Sequence, residues 1–161
     1  MKTLIVYGST YGYAEDCARR LAALLPGPCE VVVADGAARL SLEDYEAVII
    51  GGSIYMGKVQ KAVSAFCRDR EQELLHKRLG LFLCCGLPEN LPQHLAGAFP
   101  ESLRQSAVAV ANFGGRLEPE RMGLMHRTVT KMMLAAAAKE GRPPVAALPE
   151  ALTAFAEALK A

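Results

Sequence analysis

Apolar residues gather in four short, near-continuous runs, at 3–8, 30–34, 46–51 and 79–85, with a fifth at 106–112. Their β-branched content and lack of strict alternation predict strands buried on both faces. Between them the period lengthens to three and four. Over 13–25, Ala14, Cys17, Ala18, Leu21, Ala22 and Leu25 share one helical face, and Pro26, Gly27 and Pro28 stop the helix. Residues 58–77 set Val59, Val63, Phe66 and Cys67 on one face. The stretch 86–105 holds Pro88, Pro92 and Pro100 and predicts an irregular connection with short helical turns. Further helices are predicted over about 120–139 and 149–160, the last with Leu152, Phe155, Ala156 and Leu159 toward the sheet. Strands alternating with helices imply βαβ units and a parallel sheet covered on both sides. Five strands at this length predict an α/β three-layer sandwich with a five-stranded parallel sheet of order 2-1-3-4-5. Neither a repeat nor a linker divides it, so 1–161 reads as one domain.

Composition narrows the function classes. With 52% hydrophobic and 22% charged residues the chain can build a core. A net charge of +1 with no basic stripe argues against a nucleic-acid partner. Five cysteines without C-x-x-C spacing and three scattered histidines make no metal site. Free thiols, no signal-peptide pattern and no apolar run of membrane-spanning length lead to the expectation of a cytoplasmic protein.

In a sheet of this order, ligands bind beyond the carboxyl ends of the strands at the switch point. Three loops there are rich in small residues. The first is Ser9-Thr10-Tyr11-Gly12-Tyr13-Ala14. Unsatisfied N–H groups at a helix start attract anions, two hydroxyls add donors, and Gly12 allows close approach. Two readings fit: a capped βα turn, or a phosphate seat built from neutral donors, since the loop has no Lys or Arg. The second is Gly51-Gly52-Ser53-Ile54-Tyr55-Met56-Gly57-Lys58, where Tyr55 and Met56 either cover a flat ligand or pack on a neighbouring helix. The third is Cys84-Cys85-Gly86-Leu87-Pro88. Its cysteines read as packing rather than redox groups, with no charged neighbour to activate them.

The segment YGSTYGYAED resembles the phosphate loop of the flavodoxin family. GGSIYMGKVQKAV, FGGRL and MGLMHRTVTKMM are similar to the flavodoxin-domain branch that includes menaquinone-dependent protoporphyrinogen dehydrogenase. That resemblance covers nearly the whole chain and implies a flavodoxin-like sandwich and FMN. By the same resemblance the phosphate would sit on Ser9, Thr10, Tyr11, Gly12, Tyr13 and Ala14. The isoalloxazine would lie between Ser53, Ile54, Tyr55, Met56, Gly57 and Lys58 on one side and Cys84, Cys85, Gly86 and Leu87 on the other, with Tyr55 the first candidate to stack on it. Tyr11 and Ala14 stand where flavodoxins often place hydroxyls.

Within this reading the protein is an electron carrier, working with a redox partner protein, or an FMN-dependent oxidoreductase with a porphyrinogen or quinone as small-molecule partner. The alternative is a flavodoxin-like domain that has lost FMN and serves as a binding or regulatory module. No catalytic acid or base stands out, and His76, His94 and His126 read as surface positions. Met122, Met125, Val129, Met132, Met133 and Ala136 form a helical stripe that reads first as core, and second as a face for a partner or a membrane surface.

Overall fold

The computed structural model describes residues 1–86, 90–115, 123–141 and 149–161. In chain order the elements are β1 (Thr3–Gly8), α1 (Tyr13–Leu24), β2 (Cys29–Val33), α2 (Ala34–Ala37), β3 (Ala47–Ser53), α3 (Lys61–Asp69), α4 (Glu71–Leu74), β4 (Arg78–Cys84), α5 (Leu91–Ala98), α6 (Glu101–Ser106), β5 (Ala109–Asn112), α7 (Leu124–Lys139) and α8 (Pro149–Lys160). All five strands are parallel, in the order β2-β1-β3-β4-β5. The order reverses at β1, whose Gly8 pairs with Gly52 of β3. This is the flavodoxin-like α/β arrangement that the apolar runs predict.

Strand pleating sends alternate side chains to opposite faces. Leu4, Val6, Val48, Ile50, Leu79, Leu81 and Leu83 enter one core, with Val63, Phe66 and Cys67 of α3 and Leu103 of α6. Ile5, Ile49 and Phe82 enter the other, with Cys17, Ala18 and Leu21 of α1 and Leu152, Phe155, Ala156 and Leu159 of α8. The central strands β3 and β4 are therefore buried along their length, apart from half-buried Arg78 at the start of β4, and apolar except for Arg78 and Ser53. The edge strands are half covered, and Val33 and Val110 are exposed, so the expectation of burial on both faces holds for the inner strands only.

Three predicted elements come out differently. The helix over 58–77 breaks at Arg70, which leaves the helical region (φ −112°, ψ 16°) and separates α3 from α4. The fifth strand is four residues long: α6 takes Ser106, Ala107 caps that helix, and pairing with β4 begins at Ala109. The connection 86–105 holds two helices, with proline at the start of α5 and Pro100 capping α6, positions that need no amide donor.

The Met stripe of α7 is not core. Leu124, Met125, Met132 and Met133 are exposed, and the buried residues of the helix are Thr130 and Ala137. Periodicity shows that positions share a face; it does not show that anything covers that face. Met122 lies outside the described residues.

Candidate functional site

β1, β3 and β4 end at the same edge of the sheet, so the loops that follow them converge. After β1, Gly12 takes φ 94° and caps α1, and its N–H donates to Ser9 Oγ at 2.9 Å. A Cβ on Gly12 would meet nothing within 4 Å, so the loop is open on that side. The helical ladder begins with Asp16 N–H donating to Gly12 O at 3.0 Å, which leaves the Ala14 and Glu15 N–H groups outside it. The side chains of Tyr13 and Ala14 turn into the core, and Tyr13 Oη donates to Phe113 O at 2.7 Å. Burial drives the Tyr13 phenol well above its ordinary pKa of 10.0. Of these two expected ligand contacts, the structure therefore offers the backbone alone.

After β3 the chain makes a two-residue reversal. Tyr55 N–H donates to Lys58 O and Lys58 N–H to Tyr55 O, both at 3.0 Å, with Met56 and Gly57 at φ 52° and 78° between them. Two positive φ values in a two-residue loop suit a type I′ turn. The turn lifts Met56 into solvent, where it is 55% exposed. Ile54 N–H donates to Cys84 O at 3.1 Å and ties this loop to the end of β4.

After β4, Cys85 N–H donates to Asn112 Oδ1 at 3.0 Å, and Asn112 Nδ2 donates to Cys85 O at 3.1 Å. The same Oδ1 accepts Gly114 N–H at 3.0 Å. Asn112 thus clamps the third loop to the end of β5. A Cβ on Gly115 would come within 2.9 Å of Gly86 Cα, so the two loops lie backbone to backbone. Cys84 and Cys85 are buried and free, and Cys84 lies against Cys17 and Tyr13. The hydrogen bond with Cys17, then burial, pushes the Cys84 thiol upward, which favours the inert neutral form. Leu87 lies outside the described residues.

Two further residues join the loops. Gln60, at the start of α3, donates from Nε2 to Ser53 Oγ at 2.8 Å and to Thr10 Oγ1 at 3.1 Å. Its Oε1 is buried without a hydrogen-bond partner, wedged against Gly8 and Gly52; a Cβ on either glycine would fall within 2.7 Å of it. His126 of α7 reaches in from far along the chain. Its Nδ1 is hydrogen-bonded to Tyr11 Oη at 2.6 Å, and its ring lies 6.0 Å from the Tyr55 ring, within 7° of parallel. His94 Cε1 lies 3.9 Å from where a Cβ on Gly57 would be. The expectation of a surface position holds for His76; His126 and His94 stand half-buried beside the loops. Among the described residues no cluster of His, Cys, Asp and Glu could hold a metal ion, and no helix is long and apolar enough to cross a membrane.

The family model of the flavodoxin domain matches residues 4–143. The chain belongs to the flavodoxin-domain family. Among solved structures, oxidised flavodoxin 2 from Bacillus cereus is 21% identical, with a TM-score of 0.58 over 87% of this chain and 99% of that one. A short-chain flavodoxin associated with a non-canonical PDU bacterial microcompartment is 16% identical, with a TM-score of 0.59 over 99% of this chain and 97% of that one. A flavodoxin from the domain Archaea is 15% identical, with a TM-score of 0.52 over the full length of both. At these identities the likeness is one of fold. No curated protein matches the sequence.

A flavodoxin domain raises the question of whether the first loop fits the phosphate of FMN. It does, as a seat of neutral donors. Amide N–H groups at the start of α1 sit beside the open side of Gly12, flanked by the Ser9 and Thr10 hydroxyls. Ser9 Oγ accepts from Gly12 and keeps its own hydrogen to donate. Glu15, one of two acidic residues in the first turn of α1, is paired along the helix with Arg19 at 2.8 Å.

Proposed function

We propose that this flavodoxin domain binds FMN and works as a redox protein. The observation that carries the reading is the convergence of the loops after β1 and β3 on Gln60, beside an open donor set at the start of α1. Ser9, Thr10 and the first-turn amides would hold the phosphate. Tyr55 and the loop at Cys85–Gly86 would border the ring system. FMN, when bound, supplies one- and two-electron transfer chemistry. The residues here supply position and access. Asn112 and Gln60 fix the loops, and the turn at Met56–Gly57 projects an apolar rim.

Between carrier and oxidoreductase, we favour an oxidoreductase related to the protoporphyrinogen dehydrogenase branch. The support is α7. Its exposed Leu124, Met125, Met132 and Met133 offer a flexible apolar face on the helix that carries His126 to the site. A flat, apolar donor or acceptor, a porphyrinogen or a quinone, fits such a face better than a charged small molecule does.

Replacement of Ser9 by Asp tests the phosphate seat. A carboxylate there would repel the phosphate and lower FMN affinity about tenfold or more. FMN binding unchanged in Ser9→Asp would refute the seat. A wild-type protein that never retains FMN would favour the binding-module alternative.

A further inference from the structure

Three rings from three separate stretches of chain meet over the first loop. Tyr11 comes from the loop after β1, Tyr55 from the turn after β3, and His126 from the first turns of α7. Their centroids form a nearly equilateral triangle, 5.0 Å from Tyr11 to Tyr55, 5.9 Å from Tyr11 to His126 and 6.0 Å from Tyr55 to His126. Tyr55 and His126 lie parallel, while Tyr11 stands edge-on to both, at 78° and 85°. Edge-to-face and offset parallel pairs are the arrangements that aromatic quadrupoles favour. The 2.6 Å hydrogen bond between Tyr11 Oη and His126 Nδ1 closes the triangle.

We propose that Tyr11 and His126 form a clasp that fastens α7 over the flavin site, so that seating the FMN phosphate and closing α7 are coupled. This rests on the FMN reading above. Two features of the structure make the coupling physical. First, α7 is weakly held by packing. It is sixteen residues long, its buried residues are Thr130 and Ala137, and neither belongs to the two cores of the sheet. A helix covered so little opens locally at low cost unless a specific contact holds it. The clasp supplies one such contact near its N-terminus. Second, Tyr11 lies between the two residues whose conformation the loop fixes. Thr10 is held by Gln60, and Gly12 by Ser9. An anion that orders the backbone from Ser9 to Gly12 also fixes the direction of the Tyr11 side chain, and so the position of the imidazole it holds. By linkage, whatever holds α7 closed strengthens phosphate binding by the same factor.

His126 is thereby a positioning residue of the site, supplied from 115 positions along the chain from its partner. Its ring occupies one side of Tyr55, so a flat ligand at this edge meets a wall with one ring from each of two loops and a lid that brings the third.

The test uses Tyr11→Phe, which keeps the ring and removes the hydroxyl alone. Amide hydrogen exchange is measured with and without FMN, and FMN dissociation is followed by flavin fluorescence. Loss of one hydrogen bond changes such equilibria about two- to tenfold. In the FMN-free protein, exchange across Leu124–Lys131 should quicken by that factor while the strands keep their protection. FMN should dissociate faster by a similar factor. His126→Ala should act in the same direction, and the double variant should add little to either single one. Unchanged α7 exchange in Tyr11→Phe would overturn the clasp. Quickened exchange with an unchanged FMN dissociation rate would overturn the coupling. If the wild-type protein binds no FMN, the flavin reading and the coupling fall together, and the exchange comparison still decides the clasp by itself.

Discussion

Gln60→Ala separates stability from site organisation. The side chain makes two hydrogen bonds, Nε2 to Ser53 Oγ and Nε2 to Thr10 Oγ1. At about 0.5–1.5 kcal/mol each, their loss costs about 1–3 kcal/mol. The same substitution deletes Oε1, a buried oxygen without a partner, whose burial costs about 1–3 kcal/mol in the wild type. The two effects offset, and the expected change in unfolding free energy stays within about 2 kcal/mol. FMN binding has no such compensation. Thr10 and Ser53 belong to different loops, and without Gln60 nothing else among the described hydrogen bonds joins their hydroxyls. Ordering them on binding then draws on the binding free energy, and affinity should fall about three- to tenfold. Urea unfolding gives the first quantity and fluorescence titration of FMN the second. Destabilisation well above 2 kcal/mol would mean that Oε1 is satisfied and the offset absent. An unchanged FMN affinity would show that the amide does not organise the site.

Gly51→Ala should destabilise by about 1–3 kcal/mol, because the new methyl would overlap the Phe82 ring, itself stacked on Phe113 at 4.8 Å; a thermal scan that matches wild type would contradict this packing. Met56→Asn should raise Tm by about 2–4 °C, since a left-handed Met costs about 1 kcal/mol and Asn tolerates that region; a lower Tm would mean that Met56 makes contacts worth more than its strain. Burial pushes the Cys67 thiol from 9.0 up to about 12, so the native state favours the protonated form. The folded pKa is the raised one, so this stabilisation is complete below about pH 9 and is lost as pH rises toward about 12. Cys67→Ala should therefore lose less stability between pH 8 and pH 11 than wild type in urea titrations; parallel losses would remove Cys67 from the alkaline transition. Lys58→Glu should lower the potential of bound FMN, because a cation beside the ring favours negative charge on the reduced flavin and a carboxylate opposes it; equal potentials by spectroelectrochemistry would place Lys58 away from the ring.

The sheet was legible in the sequence wherever both faces of a strand are covered. Leu4–Val6, Val48–Ile50 and Leu79–Leu83 must be apolar at every position, and that leaves a continuous run. The fifth strand was overdrawn because Ser106, Ala107 and Val108 suit a helix end and a strand start equally in composition. The convergence of the three loops followed from topology, since parallel strands bring their carboxyl ends to one edge. Gln60 and Asn112 do not stand out in the sequence, and His126 reads there as a surface position. Gln60 stood inside a quoted motif, but its role lies in spanning two loops, and no local spacing encodes that. Asn112 acts through a pair of backbone bonds to Cys85, 27 residues away. His126 meets Tyr11 only because α7 turns back over the sheet edge, and a helical stripe says nothing about where its helix is laid.

The central claim is that the first loop holds the phosphate of FMN. Its most direct test compares FMN with riboflavin, which lacks the phosphate, in titrations of the purified, flavin-free protein followed by visible absorbance and fluorescence. The account predicts one FMN bound per chain and riboflavin bound at least about tenfold more weakly, the share expected of several charge-assisted hydrogen bonds. Equal affinity for the two, or no binding of FMN, would contradict it and leave Ser9–Gly12 as a capped turn.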